Sequence, residues 1–427
     1  MKLLVLSIDA MFSEDLERLR EHPLLEPFFA HCLIVREMSP VYPALTYPCH
    51  ASIISGNPPA VHGGYHNTEC APDERWKCWK WYYNAIRCPT LFDYFHQVGY
   101  TISAVFWPVT AQAPVDYLVP EIWSYTEDPV ETMKRTSGGA ANHIIERHRA
   151  DVDFTSKFKL DRFAKDCALD IVDQFDPDVL FLHLSLVDST RHRYGIRHPE
   201  VDRAVDQCVQ WLVEVLKRIE EKTPLEELSL AVLGDHGHLN CRGRLSINRC
   251  FAQRGWLGGP PEQMGGGKVF AVAVGISAQV YVRDSSICSQ LERMLEELKA
   301  DGWLYDWYTW EQAVGLGLDG PFAYVLEAGE GYYFTDRVEE NFFSPAPAKD
   351  GGPCIGKHGH FPTRGDKPPF FLSHRGITSK QLRNHSILDI APTLCALFQL
   401  PGGEMQGVDL LQCSQSNFPE MGINDEK

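Results

Sequence analysis

Leu228-Ser229-Leu230-Ala231-Val232-Leu233-Gly234-Asp235-His236-Gly237-His238 is an apolar run, broken by one serine, that ends in two glycines around a carboxylate and an imidazole. A strand without a polar face is covered on both sides, the condition of the central strands of a helix-covered, mostly parallel sheet. Ligands of such sheets collect beyond the carboxyl ends of the strands. Flanking glycines let the backbone pass close to a bound ion, and Asp235 beside His236 on a sharp turn offers a chelate.

The same pattern recurs outward from this stretch. Leu3 to Ile8, Ile102 to Phe106, Val179 to Leu186 and Phe370 to Leu372 read as further buried strands. Helical periodicity falls between them, at about Phe158 to Phe175, Val201 to Glu221 and Ile387 to Phe398. The alternation predicts an α/β fold with helices on both faces of the sheet. Asn240 to Gly267, rich in glycine and proline, reads as a boundary. Beyond it, strand patterns at Val269 to Val274 and Ala278 to Val282, a helix at Ser286 to Ala300, and paired strand patterns at Ala323 to Glu327 and Tyr332 to Thr335 predict a small α+β insert. The expected division is a catalytic α/β domain over 1–240 and 356–427, with an inserted cap subdomain over 241–355.

At 427 residues, 44% hydrophobic and 23% charged, the chain has an ordinary globular composition. Its formal net charge of -17 disfavours a protein that holds a nucleic-acid polymer by neutralising phosphates. A small anionic substrate stays open, because clustered carboxylates can hold divalent cations that reverse the local field. The apolar start ends at Asp9, too short for a signal peptide, and no run reaches the roughly 18 apolar residues of a membrane span. With 13 cysteines, an odd number without pairing or zinc-site spacings, the reading is reduced thiols in a soluble cytoplasmic enzyme, monomeric or homodimeric. Cys70, Cys78 and Cys88 read as unrelated thiols of an irregular segment, Gly63 to Pro89. Trp76, Trp79, Trp81, Tyr82 and Tyr83 of that segment could line a substrate mouth or pack the loop on the core.

Other candidates stand at strand ends or in Gly-flanked loops. Asp9 follows the first run, and alone could be a turn residue or a cap. Thr46, in Tyr42-Pro43-Ala44-Leu45-Thr46-Tyr47-Pro48, precedes a predicted helix; it could cap that helix, or be a nucleophile activated where helix amides favour an anion. Asp188 and His192 are four residues apart, a spacing that suits one face of a helix and either a shared metal or an ion pair. His358, in Gly356-Lys357-His358-Gly359-His360, belongs to a loop or to a metal site. Together these groups supply oxygen and imidazole donors for two borderline cations with no cysteine needed.

The motif order resembles the alkaline phosphatase superfamily and, within it, the nucleotide pyrophosphatase/phosphodiesterase (type I phosphodiesterase) family. The resemblance rests on Tyr42 to Pro48, on Ser55-Gly56-Asn57-Pro58 with His62-Gly63 and Asn67, on Val187-Asp188-Ser189-Thr190 with His192 and Gly195, on Gly234 to Gly237, and on Ile390 to Leu394. It implies a three-layer α/β/α sandwich. It further implies that Asp188, His192 and His358 bind one ion and Asp9, Thr46, Asp235 and His236 another, zinc foremost, with manganese or iron as alternatives. Asn67 falls where the family places an amide on a non-bridging phosphate oxygen. Tyr47 matches an aromatic that stacks on a nucleobase, and Trp107 resembles the start of a substrate-side loop.

The reaction implied by the resemblance is an in-line displacement on a small phosphodiester or pyrophosphate, with Thr46 as nucleophile and a phosphothreonine hydrolysed by water. Alternatives are a phosphonoacetate hydrolase or a phosphomonoesterase, and, from a different class, a catalytically silent metal-binding protein. A sulfatase lacks its Cys-x-Pro-x-Arg motif here, and a cofactor-independent mutase would place Ser where Thr46 stands.

Overall fold

The computed structural model describes residues 1–69, 78–122, 128–258, 267–346 and 354–414. Trp76 and Cys70 lie outside them. Eight strands form the main sheet: β1 (Leu3–Ile8), β2 (Cys32–Val35), β3 (Ile102–Val105), β4 (Tyr117–Val119), β5 (Val179–Leu184), β6 (Ser229–Leu233), β7 (Phe370–Ser373) and β8 (Lys380–Leu382). Their spatial order is β8-β2-β7-β6-β1-β5-β3-β4. Every pairing is parallel except the two that β7 makes with β2 and β6.

The side chains of β1 alternate between two separate cores. Leu4, Leu6 and Ile8 pack with Phe163, Ile171, Val209 and Leu212, whereas Leu3 and Val5 pack with Ile53, Ile54, Ile390 and Leu394. All six residues of β1 are buried, as the absence of a polar face predicts. The result is an α/β/α sandwich with a mostly parallel sheet. Among its helices are α1 (Thr46–Ser55), α2 (Lys157–Phe175), α3 (Leu186–Tyr194) and α4 (Pro199–Glu220).

One run is shorter than its composition predicts. The apolar stretch from Val179 leaves the sheet at Leu184, because Asp161 on α2 accepts hydrogen bonds from the amides of Ser185, at 2.8 Å, and Leu186, at 2.7 Å. Those are the orphan donors that open a helix, so the side chain turns the chain into α3 two residues early.

A second, antiparallel sheet of four strands, Val269–Val274, Ser277–Val282, Tyr324–Ala328 and Leu304–Thr309, has its own apolar cluster with the Cys288–Ala300 helix. Tyr332–Phe334 does not pair with the preceding strand as its position predicts. It joins Gly243–Leu245 in parallel register. The 240–267 stretch, read as a boundary from its glycines and prolines, carries that strand and a helix at Ile247–Gln253. Among the described residues no helix is long and apolar enough to cross a membrane.

Candidate functional site

Three carboxylates stand at the carboxyl edge of the sheet. Asp9 follows β1, Asp235 follows β6 by one glycine, and Asp188 lies in the first turn of α3. His192 is one helical turn further along α3, and His236 rides on the Gly-flanked turn after β6. A Cβ at Gly237 would fall on the Asp366 carbonyl, so only glycine lets these segments meet. His358 enters from a loop whose Gly359 has φ +84° and abuts the Val274 carbonyl.

These side chains converge. Asp188, His192, His238 and His358 each present a donor atom, all within 4.8 Å of one another, and Asp9, Asp188 and His236 do the same. Asp235 Oδ2 lies 3.3 Å from His236 Nε2, and the Thr46 hydroxyl, at the start of α1, 3.1 Å from that same nitrogen. Asp188 therefore borders both groups.

The hydrogen-bond partners show what the donors lack. His192 Nδ1 is 2.8 Å from the Gly356 carbonyl, and His358 Nδ1 is 3.3 Å from that of Ala44. A carbonyl only accepts, so each Nδ1 carries the proton and each Nε2 is a lone pair. Those lone pairs face Asp188 Oδ1 at 3.4 and 3.8 Å. Acceptor facing acceptor at such range calls for a cation between them. Asp9 Oδ1 and Asp235 Oδ2 are likewise buried without a hydrogen-bond partner. The donor set thus fits divalent metal.

Protonation follows the same logic. Burial lowers His192 and, further, His358, and brings His236 down to about 4, which keeps the imidazoles neutral. Burial, then the charges of Asp235 and Asp188, push Asp9 well above the carboxylate range. Burial raises Asp235 to about 6 against the opposing pull of His50. Burial would raise Asp188 too, but His192 and the hydrogen bond from His238 hold it well below its ordinary value.

His238 has no place in the sequence reading as a ligand. Its Nε2 lies 2.8 Å from Asp188 Oδ1. Two ligands of a tetrahedral ion at roughly 2.0–2.1 Å would sit about 3.3 Å apart. The shorter distance makes His238 a hydrogen-bond donor that orients Asp188. Beneath the site runs a second network that sequence reasoning missed: His50 Nδ1 meets the Thr46 carbonyl and His50 Nε2 the Ser7 hydroxyl, both at 2.8 Å. His183 continues it, with Nδ1 3.3 Å from Ser7 Oγ and Nε2 3.5 Å from Asp9 Oδ2.

A cleft of 510 Å³ opens over Asp9, Thr46 and Asp188, and Tyr47, Asn67, Trp79, Glu121 and Lys157 line it. The Asn67 side-chain oxygen accepts from the Tyr47 amide at 3.0 Å, which aims its NH2 group away from that contact. The Tyr47 hydroxyl donates to Glu121 at 3.0 Å, and its ring lies 5.3 Å from that of Trp79. Trp107 is a correction. Expected on the substrate side, it is fully buried and lines no part of the cleft, because its ring packs edge-on against His50 of α1 and Phe181 of β5, with ring centres 5.0 and 5.1 Å away.

The family model for type I phosphodiesterase / nucleotide pyrophosphatase matches residues 3–360. The chain belongs to this family. Relatives of this phosphodiesterase family member include ectonucleotide pyrophosphatase/phosphodiesterase family member 7 of Homo sapiens, 26% identical over 247 residues, which are 55% of this chain and 47% of the relative. The Rattus norvegicus protein of the same name is 25% identical over 248 residues, 55% of this chain and 49% of its own. The chain spans about half the length of these curated relatives.

Among solved structures, murine ectonucleotide pyrophosphatase/phosphodiesterase 5 superposes with a TM-score of 0.66 at 16% identity, covering 95% of this chain and 97% of that one. It is also solved as an inactive variant in complex with AMP. Phosphonoacetate hydrolase of Sinorhizobium meliloti, in complex with phosphonoacetate, gives 0.66 at 17% identity, covering 92% and 94%. At these identities the likeness establishes the fold.

Proposed function

We propose that this family member hydrolyses phosphodiester or pyrophosphate bonds of small, nucleotide-like substrates through a phosphothreonine at Thr46. The observation that carries the reading is the position of the Thr46 hydroxyl, at the first turn of α1 and 3.1 Å from His236 Nε2, in a cleft walled by Asp9, Asp188, His192 and His358. Asp188, His192 and His358 would hold one cation, and Asp9, Thr46, Asp235 and His236 the other. A set of carboxylates and neutral imidazoles suits zinc, or else manganese or iron. Bound there, divalent cations supply Lewis-acid stabilisation of charge on the reacting phosphate and favour the alkoxide of a hydroxyl group.

The chain's own groups do the rest. Thr46 Oγ1 forms the new bond to phosphorus as the bridging P–O bond breaks, its proton passing to cleft water and the electron pair leaving on the departing oxygen. The Asn67 NH2 donates to a non-bridging oxygen, and helix-terminal amides of α1 favour the anion. Water then attacks phosphorus and the threonine oxygen regains a proton, so one water is consumed per bond cleaved. Tyr47 and Trp79, their rings tilted 56° to each other, give the cleft an aromatic corner in which a nucleobase would pack. The described cysteines, free and mostly buried, are compatible with a reducing compartment.

A second reading, hydrolysis of a phosphonate that carries a carboxylate, draws support from Lys157, a cation on the cleft wall able to take a second anionic group. A kinetic panel on the zinc-loaded chain, with a dinucleotide, a sugar nucleotide, a phosphomonoester and phosphonoacetate, separates the readings. Turnover of the diesters and the pyrophosphate well above the other two is expected; preference for phosphonoacetate or the monoester would displace the proposal.

His238→Ala is expected to weaken zinc binding about 10- to 100-fold, because Asp188 loses the donor that orients it. Chelator competition measures this. Wild-type affinity in the variant would mean that Asp188 needs no such support.

A further inference from the structure

A second chamber, 280 Å³ in volume, adjoins the cleft at Asn67, Trp79, His192 and His358, but neither Thr46 nor Asp9 lines it. Its far wall is the turn at Ala273, Val274 and Gly275, and Lys357, whose charge acts on His192 and Asp188, is part of its lining. Lys357 ends the Ile355–Lys357 strand opposite Leu239, so its place is set by sheet register. Its ammonium lies 5.2 Å from the centre of the Tyr333 ring, a cation–π contact that helps fix its position.

An in-line displacement puts the leaving group on the face of phosphorus away from the nucleophile. Of the two compartments, the chamber is the one that Thr46 does not reach, and it meets the cleft at His192 and His358. Resting on the function proposed above, we infer that this chamber is the leaving-group subsite and that Lys357 selects leaving groups that themselves carry a phosphate, as in a pyrophosphate-linked substrate. An ammonium so placed gives such an oxyanion a charge-assisted hydrogen bond, and gives a departing aryl alcohol much less. In the step itself Thr46 Oγ1 bonds to one phosphorus while the bridging P–O bond breaks, and the released phosphate takes the electron pair into the chamber.

The test compares kcat/KM for ADP-ribose, whose leaving group bears a phosphate, with that for the p-nitrophenyl ester of thymidine 5′-monophosphate, whose leaving group does not. The zinc-loaded wild type, Lys357→Gln and Lys357→Arg are measured side by side. The ADP-ribose to aryl-ester ratio is expected to fall about tenfold or more in Lys357→Gln and to recover largely in Lys357→Arg. A wild-type ratio in Lys357→Gln overturns the inference and leaves the proposed function standing. Wild-type protein inert to both substrates would count against the function instead. Calorimetric titration of ADP-ribose into zinc-loaded Thr46→Ala and Thr46→Ala/Lys357→Gln proteins decides without turnover: weaker binding in the double variant supports the subsite, and equal binding refutes it.

Discussion

Thr46→Ala is expected to lower turnover of bis-p-nitrophenyl phosphate by on the order of a thousandfold or more, since it removes the hydroxyl that stands 3.1 Å from His236 Nε2 and is proposed to form the new bond to phosphorus. The substitution should leave the fold intact. Thr46 is 9% exposed and lines the open cleft, so removing its hydroxyl and methyl opens no closed cavity. Leu45, not Thr46, is the N-cap residue of α1, and no side chain caps that helix. The bond from His50 goes to the Thr46 backbone carbonyl and survives the change. Zinc content should stay near that of the wild type, because six of the seven proposed donors remain. Thr46→Ser, which keeps the hydroxyl, should retain a measurable part of the activity. An alanine variant that keeps a tenth of the wild-type kcat/KM would remove Thr46 as nucleophile, whatever its metal content.

Much of the fold is legible because the central strands carry their own signature. Leu3 to Ile8 and Leu230 to Leu233 show no polar face, apart from Ser7, and each ends at a carboxylate. β2, β4 and β8 are harder to read. They span only three or four residues, and β2 and β8 are held in place by a partner from the other end of the chain, β8 pairing Lys380 with Leu33. Short elements at or next to the edge of a sheet owe their strand state to pairing rather than to local pattern. The parallel register of Tyr332–Phe334 with Gly243–Leu245 has the same origin, since a sequence read locally favours the neighbouring strand as partner.

The site divides along a similar line. Asp9, Asp188, Asp235 and His236 stand where chain direction alone delivers side chains to one edge, so their convergence is foreseeable. Ser7 and His183 are not, because each sits inside an apolar run and reads as a tolerated core polar residue. The β1–β5 register sets them directly opposite each other, and only then do they become a chain reaching Asp9. Asp161 is hidden for the same reason: a carboxylate in mid-helix looks like surface, yet it is buried and starts the helix that carries Asp188 and His192. Trp107 errs in the opposite direction, since its motif neighbourhood points to substrate while its fully buried ring packs on His50.

Asp235→Asn is expected to change protein stability with opposite signs in the metal-free and metal-loaded states. In the metal-free protein, burial first, and then the nearby Asp188 charge, raise the Asp235 carboxyl to about 6, above its ordinary 3.8, while Asp235 in turn helps push Asp9 upward. A group raised on folding contributes stability that is fully present below the unfolded value and lost as pH rises through the folded one. At pH 8 the ionised Asp235 therefore costs the metal-free fold on the order of 1–3 kcal/mol. Asparagine keeps an acceptor for the Ala10 amide, 3.0 Å from Oδ1, and removes the charge. The metal-free variant should thus melt higher than metal-free wild type at pH 8, with the difference fading toward pH 4. With zinc the order reverses. The neutral amide is a poor substitute for a carboxylate donor, so the variant loses affinity and with it the stabilisation that binding confers on the native state. Thermal melts in EDTA and in excess zinc, at pH 8 and near pH 4, read both signs. A variant less stable than wild type in both metal states at pH 8 would show that Asp235 holds the fold by packing and hydrogen bonding, and that the carboxylate cluster is not strained in the way its burial implies.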